Sequence, residues 1–317
     1  MPAPMLDTRD VQTVRRFAVC GAALWGALAC LAQSGGAARN LPPQGWQSAV
    51  AAAARMAPQA RIVVLDIGDG RLLSAKHLDE AAHTLANPGS AIKPLVLYGL
   101  ISTGRWDPTR RLFCSRKLSI DGHSLNCSHP MAEPMDARQA LAWSCNTYFA
   151  TVAETLKPGE LRRLLAPTGL LGQTGLANGE AAAEFRDPQT IGQNRLAVLG
   201  VDGVRVTPLE LALGYRWLAV QLAAHPDSAA ALTVRAGLED SASFGMAGAA
   251  SLGGVPVAGK TGTASAATGG QTHGWFIGLA PSNAPLAAIV VYLPAGHGSD
   301  AARVAAELLA HSPLRRP

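Results

Sequence analysis

The chain has 317 residues, which is long enough for one large domain or two modest ones with an ample core. Its formal net charge at pH 7 is +5, and part of that charge belongs to arginines at the two ends of the chain, Arg15, Arg16, Arg315 and Arg316. No basic cluster interleaved with aromatic residues occurs elsewhere in the sequence, so the composition argues against a protein that binds nucleic acid.

The first residues have the pattern of a signal for export. Arg15 and Arg16 precede an uncharged run over residues 17–32, and small residues follow that run. A cleaved signal sequence has this order of charged, apolar and small residues, but the run could also just cross a membrane. We predict that residues 1–38 are a signal sequence or a membrane anchor. Either one places the rest of the chain outside the cytoplasm, in the periplasm or on the outer face of the cytoplasmic membrane.

The folded domain is predicted to occupy residues 59–317, after a linker over residues 39–58 that is polar and then rich in alanine. The domain begins with an apolar, β-branched stretch over residues 61–67 and a second apolar stretch over residues 71–75. Gly68-Asp69-Gly70 lies between them. This pattern predicts a β-hairpin.

A serine and a lysine three residues apart begin the most apolar stretch of the domain. Ser90 and Lys93 precede an uncharged run over residues 94–101, which predicts a buried helix with both side chains on one face. Burial would lower the pKa of Lys93 and leave an uncharged amine able to take a proton from Ser90. The N–H groups of the first helical turn could stabilise an oxyanion. A serine and a lysine at this spacing also occur together by chance in a chain of this length.

Two cysteines and a histidine follow in a loop-rich segment. Cys114 and Cys127 lie outside the cytoplasm if the chain is exported, and cysteines in an oxidising compartment more often pair than bind metal. We predict a disulfide between these two residues, with Cys145 free. A zinc site that includes His129 is left open, but the sequence shows no complete ligand set, so we assign no metal and no cofactor.

A second serine stands at a predicted junction of two helices. Asp136 and Gln139 have the form of a capping box and predict a helix that continues to Trp143. Ser144 and Asn146 follow directly. A hydroxyl presented between two helices could relay a proton, and a neighbouring amide could hold the amide of a substrate.

A second lysine lies in a predicted strand near the C-terminus. Residues 257–264 contain Lys260 and Thr261, and two further strands are predicted over residues 273–280 and 286–293. An ammonium and a hydroxyl on a strand beside a nucleophile could bind a carboxylate.

Ser-x-x-Lys, Ser-x-Asn and Lys-Thr-Gly occur in this order in penicillin-binding proteins and serine β-lactamases. Over nearly all of residues 59–317 the sequence resembles the transpeptidase domain of monofunctional, class B penicillin-binding proteins. The resemblance implies an α/β (α+β) fold, with a five-stranded antiparallel sheet flanked by helices. It also implies a helical subdomain that carries Ser144, with Ser90 at the junction and a C-terminal helix over residues 300–309.

The same resemblance implies a role for each motif residue. Ser90 would be acylated by a peptidoglycan stem peptide that ends in D-Ala-D-Ala, or by a β-lactam, and Lys93 would accept its proton. Ser144 would pass a proton toward the leaving amine. Asn146 would hold the substrate backbone.

The third motif would bind the other end of the substrate. Lys260, Thr261 and Thr263 would bind the terminal carboxylate, and Gly262 would let the substrate lie against the strand. The N–H groups of Ser90 and Thr263 would form the oxyanion hole.

Three classes of function remain open on this reading. The first is a serine D,D-transpeptidase or D,D-carboxypeptidase, and the second is a serine β-lactamase. The third is a penicillin-binding sensor or interaction domain without catalysis. A β-lactamase needs a group that activates water, and Glu180 and Glu184 lie at plausible distances along the chain. The stretch over residues 179–184 is interpreted instead as a solvated, alanine-rich segment. The expected partners are stem peptides, β-lactams as inhibitors, and the membrane if the N-terminal segment is retained.

Overall fold

The computed structural model of the protein describes residues 43–130, 133–265 and 270–315. The strands, numbered along the chain, are β1 (Arg61–Asp66), β2 (Leu72–Lys76), β3 (Ser119–Ile120), β4 (His123–Ser124), β5 (Glu184–Phe185), β6 (Val204–Arg205), β7 (Ala258–Ser265), β8 (Thr272–Ala280) and β9 (Ala287–Leu293). The α-helices are α1 (Pro43–Met56), α2 (Leu78–His83), α3 (Lys93–Ser102), α4 (Ala137–Ala142), α5 (Asn146–Ala153), α6 (Glu160–Leu165), α7 (Ile191–Val198), α8 (Pro208–Ala224), α9 (Ala229–Ser243) and α10 (Gly298–Ala310). Short 3-10 helices cover Gly89–Ile92, Ala166–Thr168 and Gly248–Gly253.

Five strands form one sheet in the order β2-β1-β9-β8-β7, and every neighbouring pair is antiparallel. The predicted five-stranded antiparallel sheet is therefore confirmed, including the β1–β2 hairpin. Strand β7, which carries Lys260, lies at one edge. Its outer side is thus open to the segment that contains Ser90.

Helices cover both faces of this sheet because successive side chains of a strand point to opposite faces. Ile62 and Val64 pack in one hydrophobic cluster with α1 and α10, whereas Val63 and Leu65 pack in another with α3 and α8. The second cluster continues from the sheet into α4–α7 and α9. These helices surround α3, which is apolar on almost every side and buried, as predicted.

Helix α1 corrects the predicted linker. Most of residues 39–58 is not a tether, because the described part of that range is largely helical and packs against β2 and α10. Trp46, Ala49 and Ala53 are each 0% exposed. Their spacing places them on one face of a helix. Alanine buries little apolar surface, so this stripe was a weak signal in the sequence.

The predicted signal or anchor over residues 1–38 lies outside the described residues. Among the residues that the structure describes, no helix is both long enough and apolar enough to cross a membrane.

Candidate active site

Ser90 lies in the 3-10 helix that leads into α3. A 3-10 helix has three residues per turn, so the side chains of Ser90 and Lys93 start from the same face. Gly89 precedes Ser90 with a φ of 52°, and a Cβ at Gly89 would lie 2.7 Å from the carbonyl oxygen of Thr263. Only glycine combines this left-handed conformation with so close an approach to strand β7.

Hydrogen bonds from two other elements, β8 and α8, hold the segment around Ser90. The carbonyl of Asn87 accepts hydrogen bonds from His273 Nε2 (2.7 Å) and Trp275 Nε1 (3.0 Å) on β8. Tyr215 Oη on α8 donates to the carbonyl of Ala91 (2.8 Å). The nucleophile candidate is therefore fixed between the sheet and a buried helix.

Lys93 reaches from α3 to the second motif. Its Nζ donates to Asn146 Oδ1 (2.7 Å), to the carbonyl oxygen of Ser144 (3.0 Å) and to Ser144 Oγ (3.4 Å). Between Ser90 Oγ and Lys93 Nζ the structure has no hydrogen bond, because the lysine is turned toward these acceptors. The shared helix face is thus as predicted, while the direct contact of the two groups is not formed.

Ser144 occupies a position that backbone sterics normally give to glycine. Helix α4 ends at Ala142, Trp143 caps it, and Ser144 follows with a φ of 55°. Ser144 N donates to the carbonyl of Leu141 (3.2 Å) and Cys145 N donates to that of Ala140 (2.9 Å). This pair of bonds is a Schellman motif, whose left-handed residue is usually glycine. The backbone of a serine in this conformation is strained, and glycine would avoid that strain. The presence of serine therefore indicates that its hydroxyl has a function.

Two lysines converge on that hydroxyl. Lys260 Nζ donates to Ser144 Oγ (2.9 Å) and to the carbonyl of Thr261 (2.8 Å), and Lys93 approaches the same oxygen from α3. A hydroxyl has two acceptor lone pairs and one proton. With both lone pairs engaged by lysines, the proton of Ser144 is available to a group in the cavity.

Burial favours the uncharged form of the lysine amines in this cluster. Lys93 and Lys260 are both 0% exposed. Burial lowers the pKa of Lys93 to about 8. Burial, together with the positive charge of Lys93, lowers the pKa of Lys260 well below its usual value. Two buried ammonium groups that share one hydroxyl repel each other, so the cluster favours a neutral form of one lysine.

A cavity of about 270 Å³ contains the remaining predicted residues. Ser90, Ser144, Asn146, Thr261 and Thr263 all line it. All three motifs therefore meet in one place, as the resemblance implied. Lys260 lies beneath the wall rather than in it.

The side-chain amide of Asn146 is already partly engaged. Its Oδ1 accepts from Lys93, and its Nδ2 donates to the carbonyl of Leu125 (3.0 Å). One N–H of the Nδ2 group remains to donate to a substrate carbonyl.

The structure gives a reason for glycine at position 262 that differs from the one expected from the sequence. A Cβ at this position would collide with the carbonyl oxygen of Pro88 and lie 3.1 Å from the backbone nitrogen of Ala91. The missing side chain therefore lets β7 pack against the Ser90 segment. Thr263, its neighbour, is exposed, and its Oγ1 accepts from Gly298 N (2.9 Å), which leaves the hydroxyl proton for a ligand.

The predicted disulfide between Cys114 and Cys127 is not formed. Cys114, Cys127 and Cys145 are free cysteines, and Cys127 Sγ lies 3.9 Å from Cys145 Sγ. Together with His129 they form one compact group beside the cavity. The pairing was predicted because cysteines in an oxidising compartment more often pair than bind metal, whereas the fold brings Cys145 beside Cys127.

Glu180 is not part of a solvated segment, contrary to the interpretation from the sequence. Its carboxylate is buried and accepts N–H groups from Thr174, Gly175, Leu176 and Ala177 at distances between 2.5 and 3.1 Å. Burial opposes its ionisation, but these hydrogen bonds lower the pKa of Glu180. Glu184 instead pairs with Arg205 on the surface. Neither glutamate lines the cavity.

Sequence reasoning missed part of the cavity wall. Trp143, Met246 and the stretch over residues 124–128 line the cavity, but they lie far apart in the chain and share no motif. Cys127 lies within that stretch, and its spacing from Cys114 was the one signal that pointed to it.

The chain is similar to a known protein family and to several solved structures. A family model described as "Penicillin binding protein transpeptidase domain" matches residues 58–311. Among solved structures, the chain is similar to the transpeptidase domain of penicillin-binding protein 3 from Burkholderia pseudomallei, with a TM-score of 0.73 and 22% identity over 85% of this chain and 92% of that one. It is also similar to a structure described as a peptidoglycan glycosyltransferase from Burkholderia ambifaria, with a TM-score of 0.72 and 20% identity over 84% and 93% of the two chains.

A third similar structure is penicillin-binding protein 2 of Pseudomonas aeruginosa in complex with WCK 5153, with a TM-score of 0.71 and 22% identity over 84% of this chain and 74% of that one. At these identities the likeness concerns the fold. No curated protein sequence gave a match. The family model covers most of the chain, and on that match the chain belongs to the family of penicillin-binding protein transpeptidase domains.

Proposed function

We propose that the protein is a serine D,D-transpeptidase or D,D-carboxypeptidase. It acts on peptidoglycan stem peptides that end in D-Ala-D-Ala, forms an acyl-enzyme at Ser90, and is covalently inhibited by β-lactams. The observation that carries this proposal is the position of Ser144. Its hydroxyl accepts hydrogen bonds from both Lys93 and Lys260 while it faces the cavity that Ser90 lines.

The first step is attack of Ser90 on the substrate. An uncharged Lys93 has two protons, which its two shorter hydrogen bonds engage, and one lone pair. That lone pair accepts the proton of Ser90 Oγ as the oxygen bonds to the carbonyl carbon of the scissile peptide. The N–H groups of Ser90 and Thr263 stabilise the negative oxygen of the tetrahedral intermediate.

The second step is departure of the leaving amine. The C–N bond breaks, and Ser144 gives its proton to the nitrogen of the terminal D-Ala. Lys93, which received the proton of Ser90, restores it to Ser144, so no proton is gained or lost. In a β-lactam the same C–N bond lies in the ring, so the leaving amine stays attached to the acyl group.

The third step separates the two activities. An acceptor amine that attacks the acyl-enzyme forms a cross-link, and water that attacks it releases a shortened peptide. Both restore Ser90. Before the terminal D-Ala leaves, Thr261 and Thr263 on β7 bind the terminal carboxylate of the donor stem peptide, with Lys260 beneath them.

A β-lactamase needs in addition a group that activates water against the acyl-enzyme. Glu180 is held by four N–H groups away from the cavity, and Glu184 is engaged on the surface, so neither supports that activity. The penicilloyl-enzyme is therefore expected to persist for many minutes.

The proposed substrate implies export. Peptidoglycan is cross-linked outside the cytoplasmic membrane, and Arg15 and Arg16 precede an apolar run at the start of the chain. A reporter fused after residue 60 tests this location. We expect activity of a reporter that functions only outside the cytoplasm, and activity of a cytoplasmic reporter alone would contradict the location.

Acylation by benzylpenicillin tests the catalytic proposal. The protein is incubated with the drug and digested, and the modified peptide is identified by mass spectrometry. We expect the adduct on the peptide that contains Ser90, and no adduct in Ser90→Ala. Ser124→Ala is the matched control, because Ser124 lines the same cavity and its loss should leave acylation intact.

Release of D-Ala from a stem peptide then distinguishes the activities. Product that incorporates an added acceptor amine indicates transpeptidation, and shortened peptide alone indicates carboxypeptidation. A folded protein that is acylated elsewhere, or that binds the drug but releases no D-Ala, would contradict the proposed enzyme.

A further inference from the structure

Four side chains that the proposed mechanism does not use converge beside Ser144. They are Cys114, Cys127, His129 and Cys145, and their sulfur atoms and a ring nitrogen all lie within 4.8 Å of one another. His129 and Cys145 are buried, and the other two are partly buried. Three cysteines and a histidine are a common ligand set of structural zinc sites.

The separation of the sulfur atoms fits a tetrahedral metal site. Zinc lies about 2.3 Å from each thiolate that binds it, so two sulfurs of a tetrahedron are about 3.8 Å apart. Cys127 Sγ and Cys145 Sγ are 3.9 Å apart. A disulfide would require about 2.0 Å. This pair therefore has the spacing of two ligands around one ion, and all four ligand atoms lie close enough to share it.

His129 gives an independent indication of a ligand. Its side chain is 1% exposed, and neither ring nitrogen has a hydrogen-bond partner among the described residues. A buried imidazole without partners is costly, because its nitrogens lose their hydrogen bonds to water. A metal bound to one ring nitrogen would remove much of that cost.

The backbone is arranged as if to stabilise thiolates. Cys127 Sγ accepts the N–H of Asn146 (3.2 Å), Cys114 Sγ that of Arg116 (3.4 Å), and Cys145 Sγ that of Tyr148 (3.5 Å). Each sulfur thus receives one main-chain N–H. Such outer contacts orient the ligands of a metal site and support their negative charge.

We propose that Cys114, Cys127, Cys145 and His129 bind a zinc ion in a closed tetrahedral site. Binding replaces the protons of the three thiols, which are released to solvent. Thiolate sulfur selects zinc over magnesium or calcium, which prefer oxygen. Four protein ligands leave no open position for substrate, so the ion is structural.

The zinc joins two parts of the active site. Cys114, Cys127 and His129 belong to the segment that contains β3 and β4, whose residues 124–128 form one wall of the cavity. Cys145 lies between Ser144 and Asn146. The ion therefore positions the hydroxyl and the amide of the second motif against that wall.

Metal analysis of the purified full chain tests the site. After dialysis against metal-free buffer, we expect about one zinc per chain, with iron and copper at trace levels. Exchange for cobalt should give the visible absorption bands of a tetrahedral ion with thiolate ligands. A metal-free protein that contains a disulfide, or one that holds stoichiometric iron or copper, would overturn the proposal.

Substitution of His129 gives the sharpest comparison. His129→Leu fills the buried space without a ligand and should lower the zinc content at least tenfold. His129→Cys supplies a fourth sulfur and should retain zinc. His123→Leu is the matched control, because His123 is an exposed histidine of the same segment and should leave the zinc content unchanged. Equal zinc content in all three variants would show that the ion binds elsewhere. If His129→Leu does not fold, zinc content of His129→Cys and the cobalt spectrum of the unsubstituted protein decide the question.

Removal of the zinc by a chelator tests whether the ion supports the active site. Removal of zinc from the intact protein should slow acylation of Ser90 by roughly tenfold to a hundredfold, and added zinc should restore the rate. Ser90→Ala should keep its zinc, so loss of acylation and loss of metal are separate results. An acylation rate that does not change when the zinc is removed would contradict the positioning role.

Discussion

The active-site cavity and the loop around Glu180 both remove ionisable side chains from water, but they satisfy them in different ways. The Glu180 carboxylate accepts four main-chain N–H groups and the hydroxyl of Thr174 (2.8 Å), so its negative charge is fully matched. In the cavity, Lys93 and Lys260 direct like charges at a single hydroxyl of Ser144. The loop around Glu180 stabilises the charged form of its carboxylate, whereas the active-site cavity destabilises the charged form of its lysines.

This difference shows that burial of a charged residue does not by itself indicate catalysis. Glu180 and Lys93 are both buried, yet hydrogen bonds lower the pKa of Glu180 and favour its ordinary charged form. Burial lowers the pKa of Lys93 to about 8 and favours its uncharged form. A group that can change its protonation near neutral pH can transfer protons. Substitutions at four residues, each with its control, test this contrast.

Lys93→Ala should have the largest effect. Acylation by a fluorescent penicillin is expected to slow by roughly a hundredfold or more, because no other amine lies on the helix face of Ser90 to accept its proton. Rates are measured by stopped flow on protein whose folding has been verified by circular dichroism. Lys157→Ala, at an exposed lysine, should acylate at the original rate. A normal rate for Lys93→Ala would make Lys93 a structural residue.

Ser144→Gly should separate activity from stability. The hydroxyl is lost, so acylation should slow by about a hundredfold. The left-handed φ of 55° suits glycine, so the free energy of unfolding should rise by about 1 kcal/mol.

Ser144→Ala is the matched control for that variant. It also lacks the hydroxyl but retains a Cβ, so it should acylate as slowly without the gain in stability. Urea denaturation measures the difference between the two. Equal stabilities of the glycine and alanine variants would contradict strain at this residue.

Glu180→Ala should affect stability alone. It leaves several buried N–H groups without an acceptor, which is expected to lower the free energy of unfolding by about 3 kcal/mol. Glu184→Ala removes an exposed ion pair with Arg205 and should cost less than about 1 kcal/mol. Both variants should form a penicilloyl-enzyme of unchanged lifetime. A longer lifetime in Glu180→Ala would identify Glu180 as a base that activates water.

Glu210 is buried like Glu180 and Lys93, and it should make the free energy of unfolding depend on pH. Burial raises the pKa of Glu210 to about 7, although the N–H groups of Thr207 and Ala183 favour the carboxylate. The folded protein therefore holds this proton to a higher pH than the unfolded chain, whose glutamate has a pKa of about 4.3. The stabilisation from protonated Glu210 is fully present below the unfolded-state pKa of about 4.3. It is lost as the pH rises to about 7.

Glu210→Gln isolates this contribution, because glutamine does not titrate. Between pH 5 and pH 8, the stability of the unsubstituted protein should fall relative to the variant by about 2 kcal/mol. Urea denaturation at several pH values measures the difference. Parallel pH profiles for the two proteins would show that Glu210 is ionised throughout.

Local patterns in the sequence predicted most of the elements around the site. The capping box at Asp136 is present with both of its hydrogen bonds, since such a box depends only on residues three apart. The hairpin of β1 and β2 and the edge strand with Lys260 are also where alternation and turn residues place them. Helix α1 was not predicted because its buried face consists mostly of alanine, which is a weak hydrophobic signal in a sequence. The burial of that face depends on contacts with α10 and the sheet.

The sequence by itself determined the three motifs, their order and the helices and strand that carry them, because those features depend on neighbours within one or two turns. Only the tertiary structure decided which groups each motif residue contacts. Lys93 turns to Ser144 and Asn146 rather than to Ser90, and Cys145 joins Cys114, Cys127 and His129 instead of remaining apart. Both outcomes depend on how α3, α4 and the β3–β4 segment pack together. Packing brings residues that are distant in the chain within a few ångströms, and no local periodicity records it.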